Sequence, residues 1–187
     1  KTIEAGLILK ELQARRDIRS ILVICPKPLV AERKWQNELK RFDEQFEHLD
    51  GNALRYCIEE THLDGVWPQK YERAILPYSL LDEAALLGKQ KGKRRQRGLL
   101  ELDPPPSFDL VIVDEAHRIN NTDTWAYQTV RHFCDNAEAV VLLSATPIQL
   151  GNNDLFNLLH LLRPDFLPNR QDFDQMAEPN PYINSAI

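Results

Sequence analysis

Two carboxylates, Asp114 and Glu115, follow directly on the apolar run Leu110-Val111-Ile112-Val113, and His117 stands two residues beyond them. A short unbroken apolar run rich in β-branched residues reads as a strand buried on both faces, as in a parallel sheet. The acids then emerge at the strand's carboxyl end, where open α/β sheets bind ligands. Charge at such a place is costly unless it is paired or bound to a metal. The plain alternative is that both acids cap the next turn, since Asp is common there. Two further clusters weigh against that alternative. Lys1-Thr2 opens an apolar helix, as the end of a phosphate-binding GxxxxGK[ST] loop does. Ser144-Ala145-Thr146 follows a second apolar run, Ala139 to Leu143. Together these parts suit hydrolysis of a nucleoside triphosphate. The lysine neutralises phosphate charge, Asp114 holds Mg²⁺, and Glu115 positions and polarises the attacking water. A zinc reading of Glu115 and His117 is poor, because HExxH spacing is absent.

The surrounding elements must bring these clusters together. Ile3, Ala5, Leu7, Ile8, Leu9 and Leu12 predict a helix apolar over most of its circumference and hence buried. Ser20 to Cys25 predicts a buried strand stopped by Pro26-Lys27-Pro28. A helix carrying Leu29, Trp35, Leu39 and Phe42 follows. Leu54 to Ile58 reads as a third strand, Glu59 to Lys70 mainly as loop, and Arg73 to Ser79 as a fourth strand. Ser79 then caps a helix beginning at Leu80. Thr122 or Asp123 caps a helix with Ala126, Val130 and Phe133 on one face. A last helix carries Leu155, Leu158, Leu159 and Leu162 and is closed by Pro164. The stretch from Pro168 to Ile187 is polar and shows no packing pattern. Strands alternate with helices, so the expected class is α/β, with a mainly parallel sheet and helices on both faces. On such a sheet all three polar clusters fall on one edge.

The bounds agree with this. The 187 residues suffice for one well-packed domain. With 43% hydrophobic and 27% charged residues the composition is that of an ordinary globular chain. The formal net charge of -5 argues against indiscriminate nucleic-acid binding while leaving room for a local basic patch. That patch is visible between Gly88 and Gly98, where Lys89, Lys91, Lys93, Arg94, Arg95 and Arg97 occur without an acid. It reads either as a solvated surface loop or as a contact to a phosphate backbone. No apolar run approaches the ~20 residues of a membrane span, and no partner membrane is expected. Cys25, Cys57 and Cys134 form no CxxC pair, so reduced core thiols are expected. A chain that opens on a buried helix and ends without a stop signal is read as a fragment at both ends.

The order Lys1-Thr2, Ile24-Cys25-Pro26-Lys27-Pro28-Leu29-Val30, Asp114-Glu115-Ala116-His117 and Ser144-Ala145-Thr146-Pro147 resembles the first RecA-like lobe of a superfamily 2 helicase-type motor. Trp35-Gln36-Asn37-Glu38-Leu39 and Thr146-Pro147-Ile148-Gln149, followed by Asn152-Asn153-Asp154-Leu155, narrow the resemblance to the Snf2 family of double-stranded DNA translocases. The opening Lys1 to Ile8 is similar to the bacterial branch that includes the RNA-polymerase-associated recycling ATPase. The resemblance covers Lys1 to about Phe166. It implies an ATP-binding lobe over residues 1–166, with 167–187 starting a linker. It also implies a second RecA-like lobe of the same polypeptide, ATP and Mg²⁺ as cofactors, and double-stranded DNA as partner, with a DNA-bound protein complex beyond it. The implied setting is the bacterial cytoplasm, at the nucleoid.

By position, the resemblance assigns Lys1 and Thr2 to the end of motif I. Asp114, Glu115, Ala116 and His117 form motif II, with Lys1, Thr2, Asp114 and His117 at the nucleotide, Thr2 and Asp114 at the metal, and Glu115 catalytic. Pro26 and Lys27 face the DNA backbone. Apart from the resemblance, the charge of the basic run makes Lys93, Arg94, Arg95 and Arg97 candidate phosphate contacts as well. Ser144, Ala145 and Thr146 couple nucleotide state to lobe movement. The glycines of motif I are absent, as are the adenine-recognising motif and the arginines of the second lobe, so the fragment alone is expected to be inactive. Two other readings stand beside this one: an RNA-directed DEAH-type helicase lobe, and a non-catalytic scaffold that keeps the fold.

Overall fold

The computed structural model describes residues 1–92, 94–119, 121–144, 152–162, 165–167 and 169–177. In chain order the elements are α1 (Thr2–Arg15), β1 (Ile21–Cys25), α2 (Lys27–Ala31), α3 (Lys34–Lys40), β2 (Glu47–His48), α4 (Gly51–Asp64), β3 (Arg73–Pro77) and α5 (Glu83–Leu87). They continue as β4 (Lys89–Lys91), β5 (Arg94–Gln96), β6 (Phe108–Asp114), α6 (Trp125–Asp135), β7 (Ala137–Leu143), α7 (Asn152–Leu162) and α8 (Arg170–Ala177). Short 3-10 turns lie at Tyr78–Leu80 and Ala116–Ile119.

The main sheet runs β2-β3-β1-β6-β7, and each of its pairings is parallel. The expected α/β class is therefore the one adopted. The apolar runs are unbroken because both faces are covered. Leu22 and Ile24 of β1, with Val111 and Val113 of β6, enter the core shared with α4, α5, α6 and α7. Ile21, Val23 and Cys25, with Leu110 and Ile112, enter the core under α1, α2 and α3. Each fully buried aliphatic side chain contributes about 1.5–3 kcal/mol.

The register between the two central strands is fixed at their amino ends. Asp109 Oδ2 accepts from the Arg19 and Ser20 amides at 2.7 and 2.8 Å, and Ser20 Oγ accepts from the Asp109 amide at 2.9 Å. Val23 then lies opposite Ile112 and Ile24 opposite Val113, so the last residue of β6 is delivered beside the end of β1. The chain leaves β1 towards β3 and returns to pair β6 on β1's other side. The crevice between the carboxyl ends of β1 and β6 is thus the point where strand order reverses.

Several expectations are corrected. Leu54 to Ile58 is part of α4, not a strand. Leu54, Cys57, Ile58 and Thr61 are its buried residues, which is helical spacing. Asp50 caps the Asn52 and Ala53 amides, and Gly65 closes the helix at φ 71. The strand that lies between β1 and β3 in the chain is instead the two-residue β2, just before α4. Much of Glu59 to Lys70 is consequently helical, up to Asp64. α1 buries only Ala5, Gly6 and Leu9, while Ile3 and Leu7 are 51% and 58% exposed, so one face, not most of the circumference, is covered. The single helix expected after Pro28 is two, α2 and α3, broken at Arg33 in the left-handed region (φ 52). Asp82, not Ser79, caps α5, and Thr124, not Thr122 or Asp123, caps α6. The basic run is no plain loop. β4 and β5 form an antiparallel hairpin. The polar stretch after Pro168 does pack in part, because α8 places Phe173 5.6 Å from Phe156 at 5% exposure. Strand β7 and the Leu-rich α7 lie where the sequence reading puts them.

Candidate functional site at the carboxyl edge of the sheet

Asp114 ends β6, and its carboxylate is 4% exposed. Two donors hold it. Trp35 Nε1, on the fully buried indole of α3, donates to Oδ2 at 2.9 Å, and the Glu115 amide donates to Oδ1 at 2.9 Å. Among the described residues no lysine or arginine pairs with it. The backbone is held from the other face of the sheet, where the Tyr78 hydroxyl donates to the Asp114 carbonyl at 2.8 Å. Burial, with the Asp114 charge nearby, pushes the Tyr78 hydroxyl up, so it remains a donor. Glu115 then turns the chain in the left-handed region (φ 52). For a residue other than glycine this costs roughly 1–3 kcal/mol, and such strain gathers at functional sites.

The turn sends the Glu115 side chain towards α1. Lys1 Nζ lies 2.5 Å from Glu115 Oε1. The Lys1 ammonium holds the Glu115 carboxyl below the usual carboxylate range, against a smaller opposing effect of burial. His117, in the 3-10 turn, places Nδ1 3.4 Å from both Glu115 Oε2 and Ser144 Oγ. Lys1, Thr2, Asp114 and Glu115 line one cleft of about 290 Å³ with Ile3, Leu29, Lys34 and Glu38. Thus the amino end of α1 and the ends of β6 and β7 meet on one edge. A helix amino end there offers unpaired amides and partial positive charge to an anion.

Pro26 and Lys27 lie apart from that cleft. They line a hollow of about 320 Å³ with Pro28, Tyr78, Ser79, Arg118, Ile119 and Ala126. None of the hairpin residues lines either space. The Arg95 guanidinium is already tied to Glu101, and Arg97 is exposed. Arg94 contributes its backbone to β5, while its side chain, together with Lys93, Ala145 and Thr146, lies outside the described residues.

Trp35, Tyr78, Lys34 and Glu38 were not among the candidates. For Trp35 a signal existed: a buried indole N–H needs an acceptor, and Asp114 is the buried acid at hand. Nothing in the local sequence points Tyr78 at Asp114, because the two residues meet only once β3 and β6 flank β1. The three cysteines are buried, and burial pushes each thiol up to about 12.

A parallel sheet whose strand order reverses beside a carboxylate corner, with a lysine at the amino end of a helix facing that corner, defines a RecA-like α/β lobe. The chain belongs to the SNF2-related domain family, whose pattern matches residues 1–183. It is 35% identical over 175 residues to an uncharacterized ATP-dependent helicase, YqhH, of Bacillus subtilis (strain 168), covering 94% of this chain and 26% of that protein. It is 32% identical over 190 residues to the RNA polymerase-associated protein RapA of Pasteurella multocida (strain Pm70), covering 95% of this chain and 18% of that one. The fold is also that of the Sulfolobus solfataricus SWI2/SNF2 ATPase core in complex with dsDNA, with a TM-score of 0.64 at 19% identity over 94% of this chain and 31% of that one. The chain thus spans about a quarter or less of the length of these two curated relatives.

Proposed function

We propose that residues 1–166 are the first lobe of an ATP-driven translocase on double-stranded DNA. Residues 167–187 begin the connection to a second RecA-like lobe, with α8 carried on α7. The observation that carries this reading is the Lys1–Glu115 pair beside Asp114 at the switch point of the sheet. Family membership and a relative named as an ATP-dependent helicase support it. Duplex DNA as partner is supported by the complex in which the SWI2/SNF2 core was solved. A polymerase-bound assembly is supported by the relative named as RNA polymerase-associated, and a bacterial cytoplasmic setting at the nucleoid is part of the same proposal.

In this reading Lys1 leaves Glu115 for the β- and γ-phosphates of ATP when nucleotide enters the cleft. The freed Glu115 carboxylate orients and polarises the attacking water. A buried carboxylate with no ion-pair partner among the described residues, lining the same cleft as Thr2, is a donor set that suits a hard divalent cation. Hydrogen bonds from Trp35 and Glu115 occupy only part of its roughly four lone-pair sites. Thr2 and Asp114 would hold Mg²⁺, which supplies charge neutralisation of the phosphates when bound. His117 joins the nucleotide corner to Ser144, the first of the coupling residues Ser144, Ala145 and Thr146. Pro26 and Lys27 face the DNA backbone in their hollow. The hairpin residues Lys93, Arg94, Arg95 and Arg97 add sequence-independent phosphate contacts.

The test uses the intact protein. Glu115→Gln retains ATP binding and lowers turnover by roughly 10²–10⁴-fold. Turnover at the parental rate removes Glu115 from the chemistry. Stimulation by RNA in place of duplex DNA moves the protein to the RNA-directed branch, and absence of nucleotide binding leaves the scaffold reading.

A further inference from the structure

Tyr78 stands between the two spaces at the sheet edge. Tyr78 lines the hollow that holds Lys27 and Arg118. Its hydroxyl crosses to the Asp114 carbonyl at 2.8 Å. That carbonyl belongs to the peptide linking Asp114 to Glu115, and Glu115 is the residue in the left-handed region. The same peptide donates its N–H back to Asp114 Oδ1. Fixing its oxygen therefore fixes the plane from which the Glu115 side chain departs. The 3-10 turn that carries Tyr78 hangs from the end of β3, whose last residue pairs with Cys25, just before Pro26. A change in the hollow reaches Tyr78 directly, and its hydroxyl passes that change to the Asp114 carbonyl.

We propose that Tyr78 is a positioning residue that ties the Asp114–Glu115 peptide to the hollow lined by Lys27 and Arg118, so that a phosphate backbone seated there changes ATP turnover through the Tyr78 hydroxyl. This rests on the translocase reading above and adds the route by which one site senses the other. The link is a short mechanical one: a bound backbone shifts the turn, the turn shifts the hydroxyl, and the hydroxyl sets the peptide that aims Glu115. The effect is read in turnover, where coupling need not be reciprocal as it is between binding affinities.

In the intact protein Tyr78→Phe keeps the ring and removes only the hydroxyl. The expected result is a fall of about fivefold to tenfold in kcat at saturating duplex DNA, the scale of one neutral hydrogen bond. The KM for ATP and the Kd for duplex DNA stay within about twofold, because neither ligand touches the hydroxyl. Tyr78→Leu, which also removes the ring, weakens DNA affinity as well. Urea unfolding of both variants separates positioning from folding. A Tyr78→Phe protein that loses stability but keeps its full DNA-stimulated kcat overturns the proposal and leaves the translocase reading intact. A parental protein whose turnover is unchanged by duplex DNA overturns both.

Discussion

The most direct perturbation of the site is Trp35→Phe. Trp35 is fully buried, and its indole donates to a carboxylate that is itself 4% exposed. Phenylalanine keeps an aromatic ring and removes the donor, so Asp114 Oδ2 loses its side-chain partner without gaining water. A hydrogen bond to a charged group is worth about 1.5–3 kcal/mol. With the space vacated by the smaller ring, the expected total loss is about 2–4 kcal/mol. That is a large share of the roughly 5–15 kcal/mol that holds a domain together. At a urea slope of about 2–3 kcal/mol/M the midpoint falls by about 1 M. A cycle with Asp114→Ala isolates the bond from the cavity, because the space left by the indole is common to both arms. The coupling between the two substitutions should be about 1.5–3 kcal/mol. A coupling below about 0.5 kcal/mol would refute the idea that Trp35 secures Asp114, and the indole would then be a packing residue only.

Three further outcomes follow from other parts of the molecule. A Cβ on Gly98 would stand 2.2 Å from the Gly88 nitrogen and 2.3 Å from the Leu86 oxygen, both backbone atoms; Gly98→Ala should cost about 1–3 kcal/mol and hasten tryptic cleavage in the β4–β5 hairpin, and an unchanged urea midpoint would show that the stem can part freely. Because Lys1 lowers the Glu115 pKa in the folded state, that carboxylate's contribution to stability is present above its ordinary value of about 4.3 and is lost as pH falls through the lower folded value. Lys1→Met should move the Glu115 carboxyl titration, followed by carbon NMR, upward towards that ordinary value, and the same midpoint in both proteins would remove Lys1 as the cause. Cys25, Cys57 and Cys134, buried and with thiols pushed up to about 12, should resist a thiol reagent at pH 8 until urea unfolds the chain, whereas rapid stoichiometric labelling of the native protein would contradict their burial.

What was legible in the sequence followed from burial on two faces. An apolar run covered on both sides cannot alternate, so β1, β6 and β7 stood out, and with them the parallel class. Leu54 to Ile58 misled for the same reason, because five residues are too few to separate a strand from one buried turn of helix. The flanking chemistry would have decided it: Asp50 before the run and Gly65 after it are a helix start and a helix stop. The bounds of α1 were readable, but its exposed Ile3 and Leu7 were not, since a helix's coverage depends on neighbours that periodicity does not name. The hairpin was hidden by charge, because alternation of apolar and polar residues is the usual strand signal and Lys89 to Arg97 has none.

The site divides along the same line. Asp114 and Glu115 were readable because acids at the mouth of a buried strand violate a local rule, and such violations mark function. Lys1 was readable only through its neighbour Thr2 and the helix that follows. The residues that hold the corner in place break no local rule. Trp35 is an ordinary apolar position of a helix, and Tyr78 an ordinary aromatic after a strand. Each acquires a polar partner 79 or 36 residues away, on opposite faces of the sheet, and only the folded sheet brings both to the same residue, Asp114. The chemistry of this edge is therefore written in short motifs, while its rigidity is written in the topology. A substitution that spares Lys1, Thr2, Asp114, Glu115 and His117 but removes the Trp35 N–H or the Tyr78 hydroxyl should leave those residues in the chain and the site misaligned.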